Sequence, residues 1–406
     1  MICPVPMQAV AEMPVRSAAA ASIPGGRISV SGAGRSSEID ALRCVAMMAV
    51  IILHCGLMPF GWAGVWLFFV ISGYVVTKSM LHRGGEAGGM RKFGDFLRRR
   101  TLRIMPIYYL YVAIGLAFSA VLGLACPPIT VASLLGFFNN IAMILGKGEL
   151  AGWPIGHLWT ISTEMQFYAL YGIALCFLSR AAIIRLLIVF IIASPAARVV
   201  VSLWLDQHHW LAEPRAYAIY AGPMLHFDSF AMGGMLAFVG DRRPIGAIAR
   251  PIFLSGMVAL GLFLIAYMVI NHIVLGRHGI DIARDIVSGI LVGQYRELFL
   301  YSIVGLVSTG LVALAIARDD WLQWFAKGRL LQSIGVISYG GYIYHAFVIR
   351  GVKLIIAAVG PLSAAPEVVR HLMAFAIGYP ATLAVAWLSY RFLEQPLIRY
   401  FSPKRD

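Results

Sequence analysis

Long apolar segments recur from near residue 40 to near residue 395, separated by polar segments of varied length. A helix needs about 20 apolar residues to cross roughly 30 Å of hydrocarbon, and several segments reach that length. The pattern predicts ten spans at 41–58, 62–81, 103–124, 157–179, 182–204, 216–239, 251–275, 297–317, 331–358 and 369–393. The predicted fold is therefore all-α and polytopic.

Two shorter segments leave the number of spans open. The stretch 131–145 contains Asn139 and Asn140, and 286–294 ends at Gln294. Both fit partial or interfacial helices, so nine to twelve spans are compatible with the pattern.

Basic residues are distributed unevenly between the predicted loops. If the N-terminus is cytoplasmic, 22 Lys and Arg residues fall in inside segments and 5 in outside loops. This asymmetry is what the positive-inside rule expects, and it predicts that both termini are cytoplasmic. The formal net charge of +14 then reports contact with anionic lipid at the cytoplasmic (inner) membrane, not nucleic-acid binding.

Composition excludes a soluble protein, because 60% of the 406 residues are hydrophobic and only 13% are charged. The five cysteines show no metal-ligand spacing, so neither a metal cluster nor a disulfide framework is predicted. Residues 1–36 are rich in Ala, Pro, Gly and Ser and are predicted to form a disordered tail, not a signal peptide. We expect one membrane-embedded domain at 37–400 and a short cytoplasmic tail at 401–406. The absence of a convincing internal repeat disfavours a transporter built from inverted halves.

Arg43 and His54 stand eleven residues apart in the first predicted span. Eleven residues make about three helical turns, so the two side chains share one face, about 16 Å apart. Ionisable groups at membrane depth are costly and are functional candidates by default. A core histidine that only bonds a neighbouring helix is the structural alternative for His54, and Arg43 could simply pair with Asp40.

A basic run, 98–103, enters the third predicted span. Such a run often serves as a topology determinant or a lipid contact. Arg100 and Arg103 also share a helical face, and their planar guanidinium groups suit bidentate phosphate binding. A nucleotide-type ligand at the cytoplasmic entrance is therefore plausible.

The fourth predicted span begins with His157 and carries Glu164 and Tyr168 near one face. A carboxylate two turns into an apolar segment needs a hydrogen-bond donor or a positive partner, which makes Glu164 a functional candidate. His345 in the ninth span is a further candidate, although nearby tyrosines give it a structural role with equal ease. We interpret Glu394 as a structural anchor of the last span.

Ordered motifs across 38–399 resemble those of the integral-membrane acyltransferase family 3, typified by bacterial O-antigen and exopolysaccharide O-acetyltransferases. The matching pieces are the Arg43-to-His54 spacing, 64–74 (GVWLFFVISGY), 99–106 (RRTLRIMP), 159–168 (WTISTEMQFY), Ser338-Tyr339 with His345, and 390–394 (YRFLE) with Pro396. Three positions depart from the family pattern: Cys44 where a glycine is usual, Trp66 where an aspartate is frequent, and Met165 where a second glutamate is common. Because the second acidic residue is missing, Glu164 is the carboxylate of this motif that could act in the site.

The resemblance implies transfer of an acyl group, usually acetyl, from acyl-CoA to a hydroxyl of a sugar in a surface polysaccharide, lipopolysaccharide or oligosaccharide. Acyl-CoA is then a donor substrate, and no permanently bound cofactor or metal is expected. The catalytic candidates are His54 and Glu164. The candidates for substrate binding are Arg43, Arg100, Arg103, His157, Trp159, Tyr168, Tyr339 and His345.

Several alternatives stay open at this point. His54 could act as general base or could itself be acylated, and Glu164 could orient His54 or bind the acceptor. Acylation of a small molecule such as a macrolide would use the same motifs. A non-enzymatic transporter or flippase of a lipid-linked glycan is the rival class, because it too would line a pathway with His, Glu and Arg.

Overall fold

The computed structural model describes residues 36–81, 89–279, 281–288, 290 and 294–401. These residues form helices and include no strand, as the apolar pattern predicts. The predicted N-terminal tail lies outside them except for Ser36, and so does 402–406 at the C-terminal end.

We number the α-helices in chain order. They are α1 Ser37–Cys55, α2 Ala63–Leu81, α3 Gly89–Val121, α4 Pro128–Leu135, α5 Asn139–Ile144, α6 Trp159–Phe177, α7 Arg180–Gln207, α8 Ala212–Ala221, α9 Phe227–Gly240, α10 Gly246–Val269, α11 Asp281–Val287, α12 Leu300–Ala317, α13 Asp320–Ala326, α14 Arg329–Val336, α15 Ser338–Ala358, α16 Gly360–Ser363, α17 Glu367–Ser389 and α18 Gln395–Phe401. Short π-helical turns, Ile270–Val274 and Tyr390–Glu394, extend α10 and α17.

Seven helical stretches in the described part of the chain are long and apolar enough to cross a membrane. They are Ala63–Leu81, Gly89–Val121, Arg180–Gln207, Gly246–Val274, Arg296–Ala317, Ser338–Ala358 and Glu367–Phe401. Helices α1 and α6 have 19 residues each but carry the charged and polar side chains singled out above. The protein is thus a multi-pass helical membrane protein, while the count of ten spans stays a prediction.

The predicted span 216–239 is not one helix. It divides into α8 and α9, and the break holds Gly222, Pro223 and Met224, whose φ of 63° is left-handed. Proline lacks an N–H and disfavours helical geometry in the residue before it, so the helix ends there. The side chain of Arg198 donates to the carbonyl of Leu225, within this break, at 2.5 Å.

Two other predicted spans also differ from the observed helices. The third begins at Gly89 instead of residue 103, so the basic run is itself helical. The ninth, 331–358, divides at Ile337 into α14 and α15. Gly335 of α14 lies against the carbonyl of Asp40, where a Cβ would collide, and α14 therefore packs directly on the first turns of α1.

Helix α1 has capping residues at both ends. It also packs against several other helices. The Ser36 hydroxyl accepts a hydrogen bond from the N–H of Ile39, and Gly56 ends the helix with a φ of 90°. Helix α1 contacts α2, α14, α15 and α17. Its position brings His54 beside His345 of α15.

Candidate active site

Five helices, α1, α2, α3, α6 and α15, line one cavity. It encloses about 700 Å³, its open mouth included. Its polar lining residues are Arg43, Ser72, Arg100, Arg103, Thr160, Glu164, Tyr168, Ser338, Tyr339 and Tyr342. Six of these ten were predicted as site residues from the sequence, although they come from four separate helices.

Arginine side chains make one part of this cavity strongly positive. Arg100 and Arg103 extend from one face of α3, and Arg43 joins them from α1. Arg43 also forms an ion pair with Asp40, at 3.1 Å, which was the structural alternative for this residue. The Nε of Arg100 is buried and has no hydrogen-bond partner in the described residues, so it remains available to an anion.

Glu164 lines the same cavity as the arginines and is held by two hydroxyl groups. Ser72 of α2 and Tyr168 of α6 each donate to its Oε1 atom at 2.5 Å. The ring of Tyr168 also lies under the guanidinium of Arg100, with 5.6 Å between Cζ and the ring centroid. Hydrogen bonds and a cation–π contact thus connect the carboxylate to the arginine part of the cavity.

Two tyrosines of α15 form the wall of the cavity beside α3 and α6. Tyr339 donates to the carbonyl of Ile104 at 3.0 Å. The hydroxyl of Tyr342 lies 2.7 Å from that of Thr160 and 3.1 Å from the carbonyl of His157. The ring of Tyr342 lines the cavity and also lies beside His157 and His345, with centroid distances of 5.8 and 5.4 Å.

Three histidines form a cluster, which we call the histidine cluster: His54, His157 and His345. The ring centroid of His345 lies 4.7 Å from that of His54 and 5.0 Å from that of His157. His157 and His345 are buried, whereas His54 is exposed. The ammonium of Lys353 donates to the backbone carbonyl of His54 at 2.8 Å, which satisfies a terminal carbonyl of α1.

The structure brings some predicted partners together and separates others. Glu164 bonds Ser72 and Tyr168, and in the described chain it shares no hydrogen bond with His54. Trp159 packs in a buried aromatic cluster, with its ring centroid 4.8 Å from that of Tyr220, and does not line the cavity. The candidates thus fall into a cavity group, the histidine cluster and a separate tryptophan.

The sequence analysis did not predict Ser72, Thr160, Ser338 and Tyr342 as site residues. Each lies inside a motif that was quoted, and Tyr342 stands three residues from both Tyr339 and His345 on α15. That helical spacing was the available signal, but the pairing of Ser72 with Glu164 joins two distant segments and required the fold. Within the described ranges, no group of three or more His, Cys, Asp or Glu side chains could hold a metal ion.

The fold and cavity are those of a helical membrane protein with converging arginines, a carboxylate and clustered histidines. A family model described as an acyltransferase domain matches residues 36–391. Because the match covers most of the chain, this protein belongs to that family, acyltransferase family 3, which confirms the resemblance seen in the sequence.

Two relatives with descriptive names illustrate the relationship. The peptidoglycan O-acetyltransferase OatA of Listeria monocytogenes is 25% identical over 394 residues, covering 91% of this chain and 57% of the relative. The O-acetyltransferase OatA of Staphylococcus aureus is 23% identical over 379 residues, covering 88% and 56%. This chain therefore spans little more than half the length of these relatives. No solved structure matches it.

Proposed function

We propose that this protein is a membrane-bound O-acyltransferase that moves an acyl group, most simply acetyl, from acyl-CoA to a sugar hydroxyl of a cell-envelope glycan. One observation carries the proposal: three elements run between the arginine part of the cavity and the histidine cluster. They are α1 from Arg43 to His54, α15 from Ser338 to His345, and the segment from His157 into α6. An anion-binding end and a proton-accepting end are thus joined by continuous helical faces.

The donor requires positive charge at one end of the site. Acyl-CoA carries phosphates, and guanidinium groups bind phosphate through parallel N–H bonds. Arg100 and Arg103, supported by Arg43, are the groups we assign to them. The long arm of the donor would then extend along α1 toward His54, a distance of about 16 Å by helical rise.

The reaction needs a base at the other end. We assign to His54 the removal of the proton from the attacking hydroxyl. The hydroxyl oxygen forms a bond to the acyl carbon, the carbon–sulfur bond breaks, and the proton passes from His54 to the departing thiolate. Prior acylation of His54 itself remains the alternative order of events.

The acceptor is proposed to be a glycan, because both named relatives are O-acetyltransferases and one is named for peptidoglycan. Surface polysaccharide, lipopolysaccharide and peptidoglycan fragments are the acceptors to compare. We propose the cytoplasmic membrane as the location, with acyl-CoA supplied from the cytoplasm and the basic segments facing it. Acylation of a small molecule would use the same residues and is separated only by the acceptor assay.

A thiol-release assay tests this function. Detergent-purified protein is mixed with acetyl-CoA and each acceptor, and free CoA is measured with a thiol reagent. We expect acceptor-dependent release of CoA, with a mass increase of one acetyl group on the glycan. His54→Gln serves as the matched inactive variant. Binding of a lipid-linked glycan with no release of CoA from any acceptor would contradict the enzyme and favour a flippase.

A further inference from the structure

His345 occupies the middle of the histidine cluster and has no assigned role beyond substrate contact. Its side chain is fully buried, with an exposed fraction of 0%. Its ring lies beside those of both His157 and His54, with centroid distances of 5.0 and 4.7 Å. A central, buried imidazole beside the proposed base is placed to act through that base.

The hydrogen bonds of the buried rings define their tautomers. The Nδ1 of His345 lies 2.5 Å from the carbonyl oxygen of Tyr342. A carbonyl oxygen only accepts, so Nδ1 carries the hydrogen and Nε2 of the neutral ring is an acceptor. In His157, Nε2 lies 3.0 Å from the carbonyl of Ile343, which leaves Nδ1 as the acceptor.

Both remaining acceptor nitrogens are buried and unpaired within the described residues. Buried polar atoms normally have hydrogen-bond partners, so a buried nitrogen without one, beside a proposed active site, requires an explanation. A metal does not supply it, since no such group of ligands is found in the part of the chain that the structure describes. The ring of His54, whose centroid lies 4.7 Å from that of His345, can offer an N–H to this Nε2.

Helix α15 holds His345 in place. The ring of His345 folds back onto its own helix, and Tyr342, whose carbonyl it bonds, is fixed in turn by Thr160. The exposed ring of His54 has more freedom. At a centroid distance of 4.7 Å, rotation of this ring is sufficient to form an N–H···N hydrogen bond, and catalytic hydrogen bonds often tighten only when substrate binds.

We propose that His345 is the positioning residue for His54: its Nε2 accepts the N–H of the His54 ring, which leaves the other His54 nitrogen as the bare base. When that nitrogen takes the proton of the acceptor hydroxyl, the His54 imidazolium keeps its hydrogen bond to His345. The same proton then passes to the departing thiolate, and His345 gains and loses none. The expected effect on turnover rests on the proposed function, whereas the hydrogen bond between the two histidines does not.

Two substitutions separate positioning from packing. In His345→Gln, the side-chain oxygen can stand near the place of Nε2 and accept the same hydrogen bond. In His345→Leu, a side chain of similar size offers no acceptor. A hydrogen bond to a charged group is worth about 10- to 100-fold in rate, so we expect His345→Leu to lose that factor in kcat with an unchanged KM for acetyl-CoA. His345→Gln should recover a substantial part of it.

The coupling between the two histidines provides the next test. In a His54→Gln background, His345→Leu should cause no further loss, because the partner it positions is already absent. His371→Gln is the control, since His371 lies near the end of α1 and pairs with Glu367, at 3.7 Å, outside the histidine cluster. Equal losses in His345→Gln and His345→Leu, or additive losses with His54→Gln, would overturn the proposal in favour of packing alone.

Nitrogen-15 NMR of histidine-labelled protein in detergent tests the geometry without any activity. We expect the Nε2 signal of His345 at a position typical of a bare, hydrogen-bonded nitrogen. We also expect His54 to change from one tautomer to a mixture in His345→Leu. A protonated Nε2 in His345, or a His54 spectrum unaffected by His345→Leu, contradicts the positioning role. If the wild type never turns over acetyl-CoA, the proposed function fails while these spectra still decide the geometry.

Discussion

The hydroxyl of Tyr168 lies 2.5 Å from Oε1 of Glu164, one turn away on the same helix. Ser72 donates to the same oxygen from α2, so Oε1 already has two short hydrogen bonds. These bonds explain how a carboxylate is stabilised within an apolar segment without a bond to His54. They hold Glu164 in the wall of the cavity, where we propose that it contacts the substrates instead of His54.

The first prediction concerns this carboxylate. Glu164→Gln retains an oxygen that accepts from Ser72 and Tyr168, but removes the negative charge that faces the arginines. We expect normal insertion and a reduced kcat, with some activity left. Purified variants should be compared by thiol release and by thermal unfolding. Tyr168→Phe is the matched variant, because it removes one donor and keeps the charge. Full activity in Glu164→Gln would show that Glu164 has only a structural role.

The second prediction concerns donor binding. Arg100→Ala and Arg103→Ala should each weaken binding of acyl-CoA, because each removes a guanidinium from the cavity. Lysine at either position should restore binding only in part, since a point charge cannot reproduce the planar fork. Arg98→Ala is the control, because Arg98 is exposed on the same helix and does not line the cavity. Equal CoA affinity in all three alanine variants would assign the run to lipid contact.

The third prediction concerns the base. His54→Ala and His54→Gln should lower turnover by about 10²- to 10⁴-fold, the usual contribution of a general base, while acyl-CoA still binds. Single-turnover assays and equilibrium binding separate these two effects. The control is His208→Gln, because His208 is an exposed histidine at the end of α7. This variant should keep the turnover of the wild type. Near-normal turnover in His54→Gln would transfer the catalytic assignment to Glu164 or His345.

The fourth prediction concerns stability at the break between α8 and α9. Arg198 and Asp228 form an ion pair of 3.0 Å with both side chains fully buried. Removing one charge leaves the other unpaired, so Arg198→Met and Asp228→Leu should each cost about 3–5 kcal/mol of unfolding free energy. The double variant Arg198→Met with Asp228→Leu should be less destabilised than either single variant. Thermal unfolding in detergent measures the stability of the two single variants and the double variant. If the losses of stability in the single variants add up in the double variant, the two residues are not coupled.

The fifth prediction concerns topology. Both termini should lie in the cytoplasm, because that arrangement collects most basic residues inside. A C-terminal reporter that works only outside the cytoplasm should be silent, and one that works inside should be active. The opposite result would contradict the ten-span prediction.

Local sequence signals were sufficient for much of the fold. Apolar length predicted the helical class, because a membrane span must satisfy its backbone internally and its side chains must suit lipid. Helix ends inside an apolar segment were harder to predict. Helix α8 ends just before Pro223, although hydropathy alone indicates one continuous span there. The third span was predicted to begin at residue 103, yet the helix begins at Gly89 and includes the whole basic run, since charge at a helix entrance does not prevent helix formation.

For the site, the sequence determined which residues are unusual, because His54, Glu164 and the arginine run are costly in apolar surroundings wherever the chain goes. Only the tertiary structure decided their partners. It joined Glu164 with Ser72 of α2, and it placed His345 of α15 beside His54 of α1. Side-chain contacts between helices depend on packing and rotation of whole helices, and the periodicity within one segment carries no information about its neighbours.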